Sequence, residues 1–533
     1  DPDAKKHAPN KVSREVRSGH YVPVEPTPLP RPELVAASGA MARSLGLSAE
    51  EVAQEDLVRF LSGEQSLAPA MRSWATPYAL SIMGQRHTSN CPFGNGNGYG
   101  DGRAVSVGEV VVEGQRWELQ LKGGGRTPFC RGADGRAVLR SSVREFLASE
   151  HMHALGISTT RALSLVVSGQ ETSRRPWYSG ADPRAGLPSL DDPRLARYPI
   201  EVRRQILDQV ARESRDPDTL VEEKCAITTR VAPSFLRVGH VDLFFRRAGR
   251  DPRDGEARRQ LEQIVEHALF REYPELCEGL EGAPLGTRAA AMLRAFAGRL
   301  GAMAAGWLRV GFCQGNFNAD NCLVGGRTMD YGPFGFLERY DPLFAKWTGS
   351  GEHFAFLNQP NAALANFYTL ATSVAPLLDG GEAEAEAIVN EASAAISAAV
   401  ADTWRAKLGL PQGEAGVGAA ESLWEELEPV MRRSAVDWTL TWRQLAAVAA
   451  LPPGASDAEL LEPLTPAFHE PPSEALRQEW AAFMRRWLAA LGGADRTTVV
   501  AAMNAANPKY VAREWMLVEA YDRAARGDYS EVR

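Results

Sequence analysis

Three polar residues near the middle of the chain carry the first chemical signal. In "CQGNFNADNCLVGGRTMDYGPFGFLERYDP", residues 313–342, Asp320 and Asn321 are followed at close range by Asp330. Gly325 and Gly326 lie midway between two short runs of strand type, "NCLV" and "RTMD", and paired glycines supply the φ > 0 that a primed hairpin turn requires. Counting outward from that turn sets Val324 opposite Arg327, Leu323 opposite Thr328, Cys322 opposite Met329 and Asn321 opposite Asp330. Opposed residues have Cβ atoms roughly 4.5–5.5 Å apart, so an amide oxygen and a carboxylate at those positions can share one cation. Both are hard oxygen donors, and so few of them suit Mg²⁺ or Mn²⁺ that keeps water and carries a phosphate substrate. Asn and Asp also form ordinary side-chain turns, so the local pattern leaves both readings open.

The elements that would position such a site lie upstream. A glycine-dense stretch, "CPFGNGNGYGDG" at 91–102, closes in Gly100-Asp101-Gly102-Arg103, where exposed N–H groups and the arginine can cradle an anion. It contains no G-x-x-x-x-G-K-[ST] and is not a Walker loop. "GEVVVEGQRWELQLKG" predicts a hairpin with strands at about 109–113 and 116–122 and a turn at Gly114-Gln115. Trp117, Leu119 and Leu121 share one face of the second strand, so Lys122 points away from them. "AVLRSSVREFLASEHMHALG" is an amphipathic helix with Leu139, Val143, Phe146, Leu147 and Ala154 on its apolar stripe, stopped by Gly156. Glu145 lies off that stripe and can pair outside the core. Arg126, Arg131, Arg136, Arg140 and Arg144 add positive charge, some of it ordinary helix surface.

These parts occur in the order found in protein kinases: glycine loop, strand Lys, helix Glu, Asp/Asn pair, then "DYG". In that logic Lys122 grips phosphates, Glu145 orients it through an ion pair, Asn321 and Asp330 hold metal, and Asp320 is the base. The chain departs from an ordinary kinase in lacking a His-Arg-Asp loop and in setting Asp320 immediately before Asn321. The expected fold is α+β, a kinase-like bilobal architecture with altered chemistry.

At 533 residues the chain is long enough for several domains or lobes. The expected divisions are an N-terminal extension at 1–70, a nucleotide-binding lobe at 71–240, a helical lobe with the metal-holding hairpin at 241–345, and a helical region at 346–533. Residues 1–20 should form an unstructured lead-in, and the Pro-rich 21–34 should run extended over the surface. Residues 175–225 look like an insertion with short helices. Beyond about 360 nearly everything reads as Ala/Leu/Glu-rich helix. A formal charge of −8 without a basic stripe argues against nucleic acid or an anionic membrane as partner. Six cysteines without a C-x-x-C pair point to a reducing, intracellular compartment. No apolar run approaches the roughly 18 residues that span a bilayer.

"WELQLKGGGRTPFCRGADGRAVLRSSVREFLASEHMHALGISTTRALSLV", "AITTRVAPSFLRVGH", "NADN", "DYGPFGFLERYDP" and "NPKYVAREWMLVEAYDRAARGDYSEV" together closely resemble the selenoprotein O family. The resemblance covers most of the chain. It implies a pseudokinase-type protein adenylyltransferase that binds ATP in a flipped orientation, transfers AMP to a Ser, Thr or Tyr hydroxyl and releases pyrophosphate. Carried over residue by residue, nucleotide contacts fall on Gly100, Gly102, Arg103, Lys122, Asp134, Gly135, Arg230, Arg237 and Asp330. The family's metal ligands match Asn321 and Asp330, and its proton acceptor matches Asp320. Implied partners are ATP, Mg²⁺ or Mn²⁺, and protein acceptors, including the chain itself. The compartment expected is mitochondrial for a eukaryotic member and cytoplasmic for a bacterial one. Gln314-Gly315 replaces the His-Gly of many members, so no histidine can act as base at 314. The family's C-terminal redox-active Cys or selenocysteine has no counterpart in the sequence up to Arg533, so a redox role through that tail is left open. γ-Phosphoryl transfer, UMP transfer with Mn²⁺, or a nucleotide-binding scaffold without turnover are the alternatives.

Overall fold

Trp117, Leu119 and Leu121 alternate with Glu118, Gln120 and Lys122, and a strand of that period buries one face while offering the other to polar partners. The computed structural model describes residues 1–79, 81–82, 85–86, 99–178, 189–213, 218–251, 253–346 and 352–533. Its main sheet contains β1 (Val22–Pro23), β2 (Pro32–Ala37), β3 (Trp74–Ala75), β4 (Ala104–Val112), β5 (Gln115–Lys122), β6 (Arg161–Trp177) and β7 (Thr219–Ala232). The spatial order is β1-β3-β4-β5-β7-β6-β2, and every pairing is antiparallel. Leu119, Leu121, Ile227 and Val231 pack on Met41, Phe60 and Leu61 from the helices at 39–61. The opposite face receives α1 (Leu139–Ala154), whose Leu139, Val143 and Phe146 meet Leu165, Val167 and Ala226. The polar alternates of β5 are thereby left facing a cleft beside α1.

Several expectations need correction. The β4–β5 turn is one residue earlier than counted: Val112 pairs with Gln115, and Glu113 and Gly114 take the positive φ values of 50° and 79° that a primed turn demands. β4 also begins at Ala104 rather than near 109. Residues 1–20 are not a loose lead-in. Ala4 and Val16 are buried with Val22, Val24 and Phe129. The Arg14 N–H donates to Pro128 O at 3.0 Å, Gly19 N–H to Gln260 Oε1 at 3.2 Å, and Arg247 to Val16 O. Its few apolar residues fit a groove, and backbone hydrogen bonds hold the rest. Residues 21–34 are extended, yet β1 and β2 join the sheet instead of lying over the surface. The insertion with short helices expected at 175–225 does carry a helix, Ile200–Glu213, but its two ends belong to the sheet, because β6 and β7 stay paired as far as Trp177 and Thr219.

The helical half begins with α2 (Val238–Arg250) and continues through Gly255–Glu272, Leu285–Val310, Gln359–Val374 and Gly381–Lys407 around one core containing Phe296, Trp307 and Phe367. A second core gathers Trp404, Trp438, Trp442, Trp480 and Trp487. The chain then returns as α3 (Glu514–Ala525), which packs on the α1 side of the sheet through Ala520, Tyr521 and Ala524. Among the described residues no helix is long and apolar enough to cross a membrane.

Candidate functional site

Lys122 ends β5, and its cross-strand neighbour on β7 is Thr228; Arg230 sits opposite Gln120. Period-two alternation therefore puts Lys122 and Arg230 on the same sheet face. α1 lays its apolar stripe on that face and aims Glu145 at both cations. Lys122 Nζ is 2.5 Å from Glu145 Oε2 and 2.6 Å from Asp330 Oδ1. Arg230 Nη2 is 3.0 Å from the same Asp330 oxygen, and its Nε contacts Glu145 Oε1. Two cations and two carboxylates thus interlock in a nearly dry setting. Burial alone would raise both carboxyls, but Arg230 and Lys122 outweigh it, holding Glu145 below its ordinary range and Asp330 well below. Burial and the neighbouring Arg230 lower the Lys122 ammonium, against the pull of Asp330 and Glu145.

The turn that delivers Asp330 differs from the counted one. Cys322 pairs with Thr328, not Met329, and the Gly326 N–H donates to Leu323 O at 2.9 Å. Gly326 alone has a positive φ, 68°, so the loop holds three residues and ends in a left-handed glycine. Asn321 is consequently not the direct partner of Asp330. Pairing is confined to an isolated bridge, and Asp330 itself takes φ 59°, a conformation Asp tolerates better than most residues. Its two cationic partners hold it there. Asn321 and Asp330 nonetheless line one cleft, together with Asp320 and Lys122.

Asp320 is buried beside α2, where Gly239 N–H donates to Ala319 O at 2.9 Å. A side chain at 239 would press on Asp320: a Cβ there falls 2.9 Å from Oδ1. Among the described residues Asp320 Oδ1 is buried without a hydrogen-bond partner, and Oδ2 accepts from the Tyr99 hydroxyl at 3.1 Å. Burial raises the Asp320 carboxyl well above its ordinary range, against the opposing effect of Arg237.

The cleft encloses about 570 Å³. Gly100, Gly102, Arg103, Asp134, Gly135, Arg230 and Arg237 all border it. Gly100 and Gly135 are there because nothing larger fits: a Cβ would lie 2.2 Å from Thr76 O at the first and 2.2 Å from Gly125 C at the second. Arg237 pairs with Asp101 at 2.7 Å and lies over the Tyr78 ring, 4.4 Å from its centroid. Asp134 is bound by Arg175 at 2.7 Å and by Ser173 at 2.6 Å, which commits it to holding the rim. Of the five arginines singled out at 126–144, Arg131 and Arg136 border the cleft. Arg140 pairs with Glu223 and Arg144 with Glu514. The glycine loop at 91–98 lies outside the described residues. A larger cavity of about 710 Å³, lined by Glu118, His240, His267 and Arg271, lies nearby. It lacks Lys122, Asp320 and Asp330, so size and chemistry disagree, and the charged cleft is the candidate site.

The Arg230–Glu145 pair, the Arg175–Asp134 pair and the Tyr99–Asp320 bond were not foreseen from sequence. The first had a signal: Thr228 and Arg230 recur at period two in "CAITTRVAP", which places a cation on the Lys122 face of a buried strand.

The sequence matches the family model described as "Protein adenylyltransferase SelO" over residues 5–181 and 207–533. The chain belongs to the SelO family. Relatives of this SelO-family chain include a "Protein nucleotidyltransferase YdiU" from Azoarcus sp. (strain BH72), 35% identical over 543 residues, covering 100% of this chain and 89% of the relative. Proteins of the same name from Xanthomonas campestris pv. campestris (strain B100) and Xanthomonas oryzae pv. oryzae (strain PXO99A) are each 36% identical, covering 96% and 97% of this chain and 86% and 88% of theirs. As a SelO-family member the chain is a nucleotidyltransferase. In this member Gln314 is a buried brace: its Nε2 donates to Met329 O at 3.2 Å, and its Oε1 accepts from Asn316 N–H at 2.8 Å. It thus ties the Asp320 side of the turn to the Asp330 side.

Proposed function

We propose that this chain transfers AMP from ATP to Ser, Thr or Tyr hydroxyls of proteins, releasing pyrophosphate, in a kinase-like bilobal arrangement. Residues 71–240 form the nucleotide-binding lobe and 241–345 the helical lobe that carries the catalytic turn. Residues 1–70 are an extension and 346–533 a further helical region. The observation that carries this reading is the four-charge lock of Lys122, Glu145, Arg230 and Asp330, with the buried carboxyl of Asp320 beside it.

Lys122, Arg230 and Arg237, with Arg103 at the rim, bind the phosphates and offset the charge that develops on departing pyrophosphate. Gly100, Gly102 and Gly135 let backbone approach the nucleotide closely, and Asp134 fixes that rim through Arg175. Glu145 keeps Lys122 and Arg230 oriented. Asp320 accepts the proton of the attacking hydroxyl, and its raised affinity for protons suits that task. Asn321 Nδ2 donates to Asn316 O at 2.8 Å, which turns its carbonyl oxygen away from that contact, and both cation contacts of Asp330 fall on Oδ1. One oxygen on each side chain is therefore available. This pair fits a Mg²⁺ or Mn²⁺ ion that arrives with the nucleotide and keeps its waters. When bound, that ion supplies Lewis-acid polarisation of the α-phosphate. Asn321 and Asp330 would hold it.

ATP labelled at either the α or the γ position decides the reaction. Label entering protein from the α position, with none from the γ position, is the expected outcome. Entry from γ alone means phosphoryl transfer and overturns the reading. A parallel run with α-labelled UTP distinguishes AMP from UMP as the group carried.

A further inference from the structure

The Tyr99 hydroxyl donates to Asp320 Oδ2 at 3.1 Å inside the cleft that Lys122 and Asp330 line. A general base must lie within hydrogen-bond reach of the proton it takes. The other oxygen of Asp320, Oδ1, is buried on the Gly239 side and has no hydrogen-bond partner among the described residues. Oδ2 is the Asp320 oxygen that meets a hydroxyl, and that hydroxyl is the phenol of Tyr99. Tyr99 is held there by short antiparallel pairing with Tyr78 and by ring contact with it at 5.4 Å. The Arg131 guanidinium lies 4.2 Å from the centre of the Tyr99 ring, where it can balance a developing phenolate. The phenol is thus presented as an acceptor hydroxyl would be.

We infer that Tyr99 is an in-cis acceptor, modified on its own hydroxyl by the nucleotide bound in the same cleft. This inference rests on the proposed role of Asp320 and on AMP transfer as the reaction. In the step, Tyr99 Oη bonds to the α-phosphorus of ATP and its proton passes to Asp320. The bond from the α-phosphorus to the bridging oxygen breaks, and pyrophosphate leaves with that electron pair. The product is a tyrosyl-AMP ester that occupies the acceptor position.

The test incubates the full chain with ATP and Mg²⁺ and maps modified peptides by mass spectrometry. An AMP adduct on Tyr99 is expected, absent in Tyr99→Phe and in Asp320→Ala. A mixing experiment separates cis from trans: affinity-tagged Asp320→Ala chain is incubated with untagged Tyr99→Phe chain and recovered. Its Tyr99 should remain unmodified, and the modification rate per wild-type molecule should not change over a tenfold range of protein concentration. Adducts confined to other residues overturn the inference while leaving AMP transfer standing. Labelling of Tyr99 in the tagged inactive chain overturns the in-cis step. If no AMP enters any protein, the proposed function falls and this inference with it.

Discussion

Arg230 and Glu145, one on a central strand and the other on the helix laid across it, meet through Arg230 Nε and Glu145 Oε1 while Lys122 holds the second carboxylate oxygen at 2.5 Å. A carboxylate with a cation on each oxygen is fixed in position and orientation, and it fixes both cations in turn. All three side chains are buried, so the arrangement survives only as a whole.

Replacing Glu145 by Ala leaves two buried cations to share Asp330. Breaking a buried ion pair costs about 3–5 kcal/mol. Urea unfolding should register a loss of that order for Glu145→Ala, and nucleotide transfer should drop at least about a hundredfold, as when a preorganised electrostatic group is removed. Transfer at wild-type rate would remove the lock from the active site.

Gly135 adopts φ 73° and has Gly125 backbone where a Cβ would go, at 2.2 Å. Gly135→Ala must therefore shift the rim loop, at a cost of order 1–3 kcal/mol. Because Gly125 N–H donates to Gly135 O, both strands of the loop move together. Calorimetric titration with ATP should show weakened binding, whereas Gly132→Ala, which shares the positive φ (79°) but whose Cβ would meet no described atom within 4 Å, should bind ATP more tightly than Gly135→Ala.

Acid should act on the site in two opposed ways. Glu145 and Asp330 have lowered affinity for protons in the folded state, so the unfolded chain binds more. Their stabilisation is complete above the ordinary carboxylate range and is lost as pH falls through the depressed folded values. Asp320 is raised, so its contribution is present at low pH and fades as pH rises through the raised value. As a base it works only when deprotonated. The transfer rate should therefore climb with pH to an inflection above the usual carboxylate range, measured as kcat/KM across pH. Asp320→Asn should flatten that limb.

Removing divalent cations with a chelator should abolish transfer, and excess Mg²⁺ or Mn²⁺ should restore it. Asp330→Asn should need far more metal for half-maximal rate, because it loses both a ligand charge and the partner of Lys122 and Arg230. Labelling that persists in chelator would show that Asn321 and Asp330 hold no metal.

Local pattern carried much of the site. Alternation in "WELQLK" placed Lys122 off the apolar face, and the stripe in α1 left Glu145 free, because both inferences need only the period of one element. The turn at 323–326 was misjudged because two adjacent glycines are compatible with both a two-residue and a three-residue loop, and one residue of difference changes every partner. Arg230, Arg175 and Tyr99 find their partners across long separations in sequence, through strand register and helix docking that no single segment encodes. The leading residues were misread for a related reason: their polarity suggested solvent, yet a few buried side chains and backbone hydrogen bonds suffice to seat them.

That seat has a mechanical consequence. Residues 14–19 are stitched on one side to Pro128, in the loop after the lysine strand, and on the other to Arg247 and Gln260 of the helical half. A clamshell swing of one half away from the other would have to unzip those stitches first. In the proposed reaction, nucleotide and product would then pass by the arginine-edged cleft and not through that stitched side.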